Sequence, residues 1–356
     1  MLTTLIIISA LLIILSLLPF IQNQHWIFRV PEFIKLQLLI IQTVLIAISF
    51  YYIFQSKTLL YLQIAQIILW IYHVYLLSRF TKFWRFNRKI QTSSASNPVK
   101  IISCNIYQFN DEYQRFIDLI NTEKPDIFLT MESDTKWEKA LRVLEKDYPI
   151  QEKVTLDNTY GMHFYTKLEV VEKQTHFFVA DDLPSIEVKL KTKDGQEFVF
   201  FGVHPPPPSP TEEENSKERD GDLLSVAKRI RDYKIPIMVT GDFNNVAWAK
   251  SSILFKKTSR LIDARIGRGF LATFHAKYWF FRVPLDLLYH SANMYIDKLF
   301  IYPSVGSDHY PMGCTFRVGT STAIQEDEIK DLEAGEMKEV NDLIEDAKEE
   351  ESDNRS

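Results

Sequence analysis

The chain has 356 residues, enough for about two domains. Its composition, 46% hydrophobic and 24% charged, is that of a globular protein; 15 prolines and 11 glycines exclude a collagen-like chain, and two cysteines exclude a disulfide framework or a multi-cysteine zinc centre. The net charge of −5 is split: residues 321–356 contribute −10 and the rest +5, a balance that suits a polyanionic substrate, an anionic membrane surface or an ordinary mixed-charge exterior.

No Asp, Glu, Lys or Arg precedes Arg29, and none occurs over residues 36–56 or 58–78. Residues 2–21, 36–54 and 58–77 therefore predict three helices, each near the ~20 residues that cross a bilayer core. The first lacks a basic leader and a small-residue cleavage site, so it reads as a retained anchor. His73 lies near the end of the third span and is expected to reach the headgroups. Arg29 and Lys35 in the first loop share a side with Arg79, Lys82, Arg85, Arg88 and Lys89, against Lys57 alone on the other. That bias predicts an integral, multi-pass membrane protein with its C-terminal domain on the cytoplasmic side.

Residues 1–90 thus form a membrane domain. Residues 91–98 (QTSSASNP) read as a linker, and residues 99–318 are enough for one large core. Strands and helices alternate along it. Residues 100–105, 126–132, 161–166, 185–190, 198–204, 236–242, 294–302 and 312–318 predict strands. Residues 112–122, 136–146, 216–232 and 248–256 predict helices. Residues 319–356 predict an acidic tail, disordered or a fraying acidic helix. Polar residues recur at strand ends, namely Asn105, Glu132, His204, Asp242, Asn244, Asp308 and His309. Sheet enzymes place their chemistry on such a rim.

Each motif has a plain alternative. Gly241-Asp242-Phe243-Asn244 is also an ordinary strand exit, because Asx side chains satisfy local N–H groups. Gly306-Ser307-Asp308-His309 is an Asp–His pair or a polar turn. Glu132 offers an oxygen ligand to a hard divalent cation or an acid to a following helix. Lys217 and Arg219 face either a phosphate or solvent. Tyr278-Trp279-Phe280-Phe281 is a lipid-touching loop or a packed insertion. Cys104 and Cys314 are expected as buried small hydrophobes.

Together, Ser103-Cys104-Asn105-Ile106, Met131-Glu132-Ser133, Val203-His204, Gly241-Asp242-Phe243-Asn244 and Gly306-Ser307-Asp308-His309 resemble, in order and spacing, the endonuclease/exonuclease/phosphatase superfamily. Its members include deoxyribonucleases, inositol-polyphosphate phosphatases and sphingomyelinases. The resemblance spans residues 99–318, and membrane-anchored bacterial members look most similar. It implies an α/β fold, a four-layer α-β-β-α sandwich of two mostly antiparallel sheets with outer helices, here preceded by three transmembrane helices. It implies a metal-dependent phosphodiesterase or nuclease-type hydrolase using Mg²⁺, with Mn²⁺ as a substitute. Asn105, Glu132 and Asp308 would serve the metal. Asp242 would activate water and Asn244 hold water or a phosphate oxygen. His204 and His309 would contact the phosphate. Asp286, or alternatively Asp297, would orient His309. Tyr107 stands where some nucleases of the family carry a second acid, and Leu287-Leu288 replaces the usual His or Tyr. The implied partners are a phosphodiester or phosphomonoester substrate, nucleic acid or lipid headgroup, and the bilayer, with no obligate protein partner. The competing reading is a catalytically silent binding or scaffold protein on the same fold.

Overall fold

Apolar strands with alternate residues facing opposite ways need cover on both faces. In β1 (Val99–Asn105), Ile101 faces one layer and Ile102 the other. A computed structural model, which describes residues 1–85, 97–319 and 325–350, shows how both faces are covered.

In chain order this region continues with α5 (Tyr113–Glu123), β2 (Ile127–Met131), α6 (Thr135–Leu141), β3 (Ile150–Val154), β4 (Met162–Thr166), β5 (Glu169–Phe177), β6 (Pro184–Lys191), β7 (Glu197–Val203), α7 (Lys217–Ile230), β8 (Ile237–Asp242), α8 (Lys250–Ser259), β9 (Ile262–Asp263), β10 (Asp286–His290), β11 (Met294–Ile301) and β12 (Met312–Val318). Two six-stranded sheets form, ordered β11-β12-β1-β2-β4-β3 and β5-β6-β7-β8-β10-β9. Both are mixed. β1–β2 and β7–β8 pair parallel, and the other pairs are antiparallel. Ile101, Leu129 and Phe164 of the first sheet pack against Val188, Phe200 and Met238 of the second. Outside, α5 and α6 cover the first sheet through Phe116, Ile120 and Trp137. α7 and α8 cover the second through Leu223, Val226 and Phe255. The result is an α/β sandwich.

Before it stand α1 (Leu2–Leu17), α2 (Trp26–Phe33), α3 (Lys35–Ser49) and α4 (Lys57–Ser78). Residues Leu2–Phe20 and Lys57–Ser78 are long and apolar enough to cross a membrane. The middle segment differs from the expected single span. α3 has only 15 residues, about 22 Å of helix, against an apolar bilayer core of ~30 Å. It passes the same test only together with α2, from which it bends by 70°. Serines and glutamines tie the bundle. Gln63 Nε2 donates to Ser9 Oγ at 2.8 Å, Gln66 Nε2 to the Ser9 carbonyl at 2.8 Å, and Gln42 Nε2 to Ser16 Oγ at 2.9 Å. His73, expected at the headgroups, is instead buried with Nδ1 3.0 Å from Gln42 Oε1.

The helical region is not a separate body. The Trp26 N–H donates to the Glu214 carbonyl at 2.9 Å, and the Ser216 N–H to the Gln24 carbonyl at 2.8 Å. Leu77 and Phe80, at the end of α4, share a buried cluster with Val246, Trp248 and Leu285. Part of the acidic tail takes the helical alternative. α9 (Glu336–Lys348) is a helix whose Val340 and Ile344 are buried against Leu224 and Leu254. Its acids face the lysines of α8, with Lys257 Nζ 2.8 Å from Glu336 Oε1 and Lys250 paired with Glu339. The linker at residues 91–98 lies largely outside the described residues.

Candidate active site

Topology alone gathers the polar strand ends. β1 and β2 run parallel, so Asn105, the last residue of β1, and Glu132, just past β2, leave at the same rim. In the facing sheet β7 and β8 also run parallel, bringing His204 and Asp242 to that rim. β10 is antiparallel to β8 and begins where β8 ends, which pairs Asp286 with Asp242. β12 is antiparallel to β1, so the loop before it, with Asp308 and His309, lands there too.

Local backbone geometry is unusual at these exits. Tyr107, Glu132 and Asn244 have φ of 58°, 62° and 46°, left-handed values that cost of order 1–3 kcal/mol for such residues. Gly241 (φ 150°) cannot be replaced without backbone movement, because a Cβ would lie 1.9 Å from the Val203 carbonyl oxygen.

Asp242 is the centre of the constellation. Its Oδ1 accepts from the Asn244 N–H at 2.9 Å and its Oδ2 from Asn105 Nδ2 at 3.1 Å. The same Oδ2 lies 3.4 Å from His309 Nε2 and 3.9 Å from His204 Nε2. His309 Nδ1 meets Asp286 Oδ2 at 2.8 Å. Asp297 instead pairs with Arg317 Nε at 2.8 Å on neighbouring β12. Asn105 Nδ2 also donates to Glu132 Oε1 at 2.8 Å, and the Gln108 N–H donates to Glu132 Oε2 at 3.0 Å. One amide therefore ties a carboxylate of each sheet.

The two histidines take opposite charge states. Burial pushes His309 down, but Asp242 and Asp286 outweigh it and raise its pKa to about 10, so it is protonated at neutral pH. Burial dominates at His204 and drops its pKa to about 4, so it is neutral. Burial lifts Glu132 to about 7, against two hydrogen bonds that favour its charge. Among the described residues no Lys, Arg or His lies within 4 Å of Glu132.

Asn105, Glu132, His204, Asp242, Asn244, Asp308 and His309 all line one cleft of about 510 Å³, and Asp286 stands behind His309. Asn244 turns its amide to the Pro205 carbonyl at 2.9 Å. Arg219 points inward rather than to solvent. It is buried, its Nη2 is 2.8 Å from Asp220 Oδ1, and its Nη1 donates to the Asn244 carbonyl at 3.1 Å. Ser307 Oγ donates to the Asn105 carbonyl and accepts from the His309 N–H, at 2.8 and 2.9 Å. From the sequence Arg219 faces a phosphate or solvent and Ser307 lies within a motif, but their bracing contacts, and the part of Gln108, are revealed only by tertiary structure.

A hard divalent cation fits this donor set. Glu132 is a half-buried carboxylate that no described Lys, Arg or His pairs with directly, and Asp308 shares its cleft. Mg²⁺ usually takes only one or two carboxylates and keeps water. Asn105 is held otherwise: its Oδ1 accepts from the Tyr107 N–H at 3.0 Å, so its N–H₂ faces the carboxylates.

The two-sheet α/β sandwich thus gathers carboxylates and histidines on one rim. The sequence model of the Endonuclease/Exonuclease/phosphatase family matches residues 102–309, and the chain belongs to that family. Enzymes of this family generally use divalent metals, commonly Mg²⁺. No curated protein sequence matches the chain. Among solved structures, D. rerio TDP2 complexed with single-strand DNA product is 15% identical, covering 62% of this chain and 99% of that one, with TM-score 0.53. The human Nocturnin catalytic domain is 18% identical, covering 63% and 96%, with TM-score 0.51. An endonuclease/exonuclease/phosphatase from Bacteroides vulgatus is 18% identical, covering 63% and 100%, with TM-score 0.52. At these identities the likeness concerns the fold.

Proposed function

We propose that this chain is a membrane-anchored, Mg²⁺-dependent phosphoesterase that cleaves phosphodiester bonds by attack of water. The observation that carries the reading is Asp242, held by Asn105 and Asn244 and facing a protonated His309 across 3.4 Å. Asp242 takes a proton from the attacking water. His309 keeps its own proton and faces the charge that develops on the phosphoryl oxygens. Asp286 holds the imidazole in place and sustains its charge. His204, neutral, offers hydrogen bonding without adding charge. Glu132 and Asp308 would hold the cation, which supplies Lewis-acid stabilisation of the phosphoryl and leaving oxygens.

The two long apolar helices and the bent pair support anchoring in a bilayer. The Lys and Arg bias supports a cytoplasmic catalytic domain. A reporter active only outside the cytoplasm, fused after Gly319, should stay silent. Nucleic acid and lipid headgroups are both substrate classes to test, the first because the D. rerio neighbour holds a DNA product. The deciding assay uses the full chain in detergent, with and without Mg²⁺, on bis(p-nitrophenyl) phosphate, plasmid DNA, RNA, a phosphoinositide and sphingomyelin. Turnover that requires the metal and falls about 10²–10⁴-fold in both Glu132→Ala and His309→Ala is expected. Turnover that survives both substitutions would sink the assignment.

A further inference from the structure

The cleft has two kinds of wall. One is the polar rim just described. The other is apolar and comes partly from outside the catalytic region. Val30, Phe33 and Ile34, at the bend between α2 and α3, line the cleft, as do Phe274, Phe281 and Leu285. Gln37 of α3 donates to the Arg282 carbonyl at 3.4 Å, which fixes the bend beside that loop. From Phe281 the apolar surface runs outward along Tyr278, Trp279 and Phe280, and Trp279 is 81% exposed. Such rings favour a membrane interface.

A second observation bears on the substrate independently. Among the described residues no Lys or Arg lines the cleft. Polynucleotide binding draws most of its affinity from several phosphates neutralised by Lys and Arg. Among the described residues the cleft's imidazoles, His204 and His309, are clustered around the single carboxylate Asp242, a footprint that suits one phosphoryl group. Val30 remains 38% exposed, so the apolar wall has surface to give to a ligand.

We infer that the substrate is an amphiphile: a phosphoester of a long hydrocarbon chain, with the chain on Val30, Phe33 and Phe281 and the phosphoryl group at Asp242 and His309. This rests on the hydrolase reading above and narrows its substrate class. On this view the anchor does more than tether. Its bend forms the part of the binding surface that recognises the tail, and it sets the cleft mouth at the level where lipid phosphates lie.

The test uses the full chain in nanodiscs with Mg²⁺ and two chromogenic diesters, methyl p-nitrophenyl phosphate and hexadecyl p-nitrophenyl phosphate, together with a 20-nucleotide single strand. We expect kcat/KM for the hexadecyl compound about 100-fold above the methyl compound, as two or three apolar side chains in contact allow. Val30→Gln and, separately, Phe281→Gln should each lower the hexadecyl-to-methyl ratio about tenfold. A ratio near one, a ratio that neither substitution changes, or faster cleavage of the single strand would overturn the inference and leave the hydrolase reading intact. No turnover of any of the three compounds would overturn both.

Discussion

His309 and His204 flank the same carboxylate yet carry different charge, because only His309 has Asp286 behind it. That asymmetry yields a pH prediction. Activity that needs protonated His309 is lost as pH rises through its pKa of about 10. Asp286→Asn removes one of the three raising charges, Asp242, Asp286 and Asp308, so the alkaline limb of the pH–rate profile should move down by about 1–2 units. An unmoved limb would show that Asp286 only packs. Glu132 gives the converse case. Below about 7 it holds a proton that a cation must displace. Mn²⁺ affinity, measured by electron paramagnetic resonance, should rise up to about tenfold per pH unit and level off above that point. Flat affinity from pH 5.5 to 8 would remove Glu132 from the ligand set. Both residues were legible in the sequence, since each is polar at the end of an apolar run. Arg219 was not: its helix position is equally consistent with solvent, and only its contact with the Asn244 carbonyl reveals that it braces the site.

At the scale of elements, the sequence misleads where an element is held by its neighbours rather than by its own pattern. β5 is exposed along most of its length and pairs only with β6, so its residues carry no clear alternation. α2 contains Pro31 and reads as a charged loop, but Arg29 and Glu32 are buried against the catalytic region. α9 looks like a solvated acidic tail because residues 321–356 hold 14 acidic and 4 basic side chains; what orders it is a narrow apolar stripe and the close approach of α7. A Cβ at Gly221 would lie 2.2 Å from the Ala347 Cβ. Gly221→Val should therefore undock α9. Ile344→Ala, which only trims the stripe, should cost about 2 kcal/mol. Hydrogen exchange over residues 336–348 would report both, with faster exchange in the valine variant. Unchanged protection there would mean that α9 is held by its ion pairs instead.

For the molecule as a whole, the sequence suggested a membrane domain at residues 1–90, a linker at 91–98 and a second domain at 99–318; among the described residues the N-terminal helices pack against that second domain. Strand order, the two-sheet sandwich and the rim follow from apolar runs and the motifs at their ends. The interface between the N-terminal helices and the sandwich does not, because residues such as Leu77, Phe80 and Trp248 read equally well as lipid-facing or core. Removing residues 1–95 would strip Phe80 from Trp248, whose rings lie 5.4 Å apart, and take away the hydrogen bond from Trp248 Nε1 to the Glu32 carbonyl. The truncated domain is expected to aggregate in the absence of detergent and to melt at least several degrees below the full chain in detergent. Equal melting temperatures in the same detergent would show that the two parts are energetically separate.

The pairings within α1, α3 and α4 also bear on how the protein is made. Gln42 finds Ser16, and Gln63 and Gln66 find Ser9, only across helices. If these helices lie in a bilayer, α3 or α4 entering lipid alone would carry side-chain amides with nothing to meet them. α1 is synthesised first and holds the partners of both. Insertion therefore becomes sequential, with the first helix retained beside the site of entry as a template onto which the later two are fixed. A generic single span grafted in its place would leave those amides stranded and the nascent chain exposed to quality control.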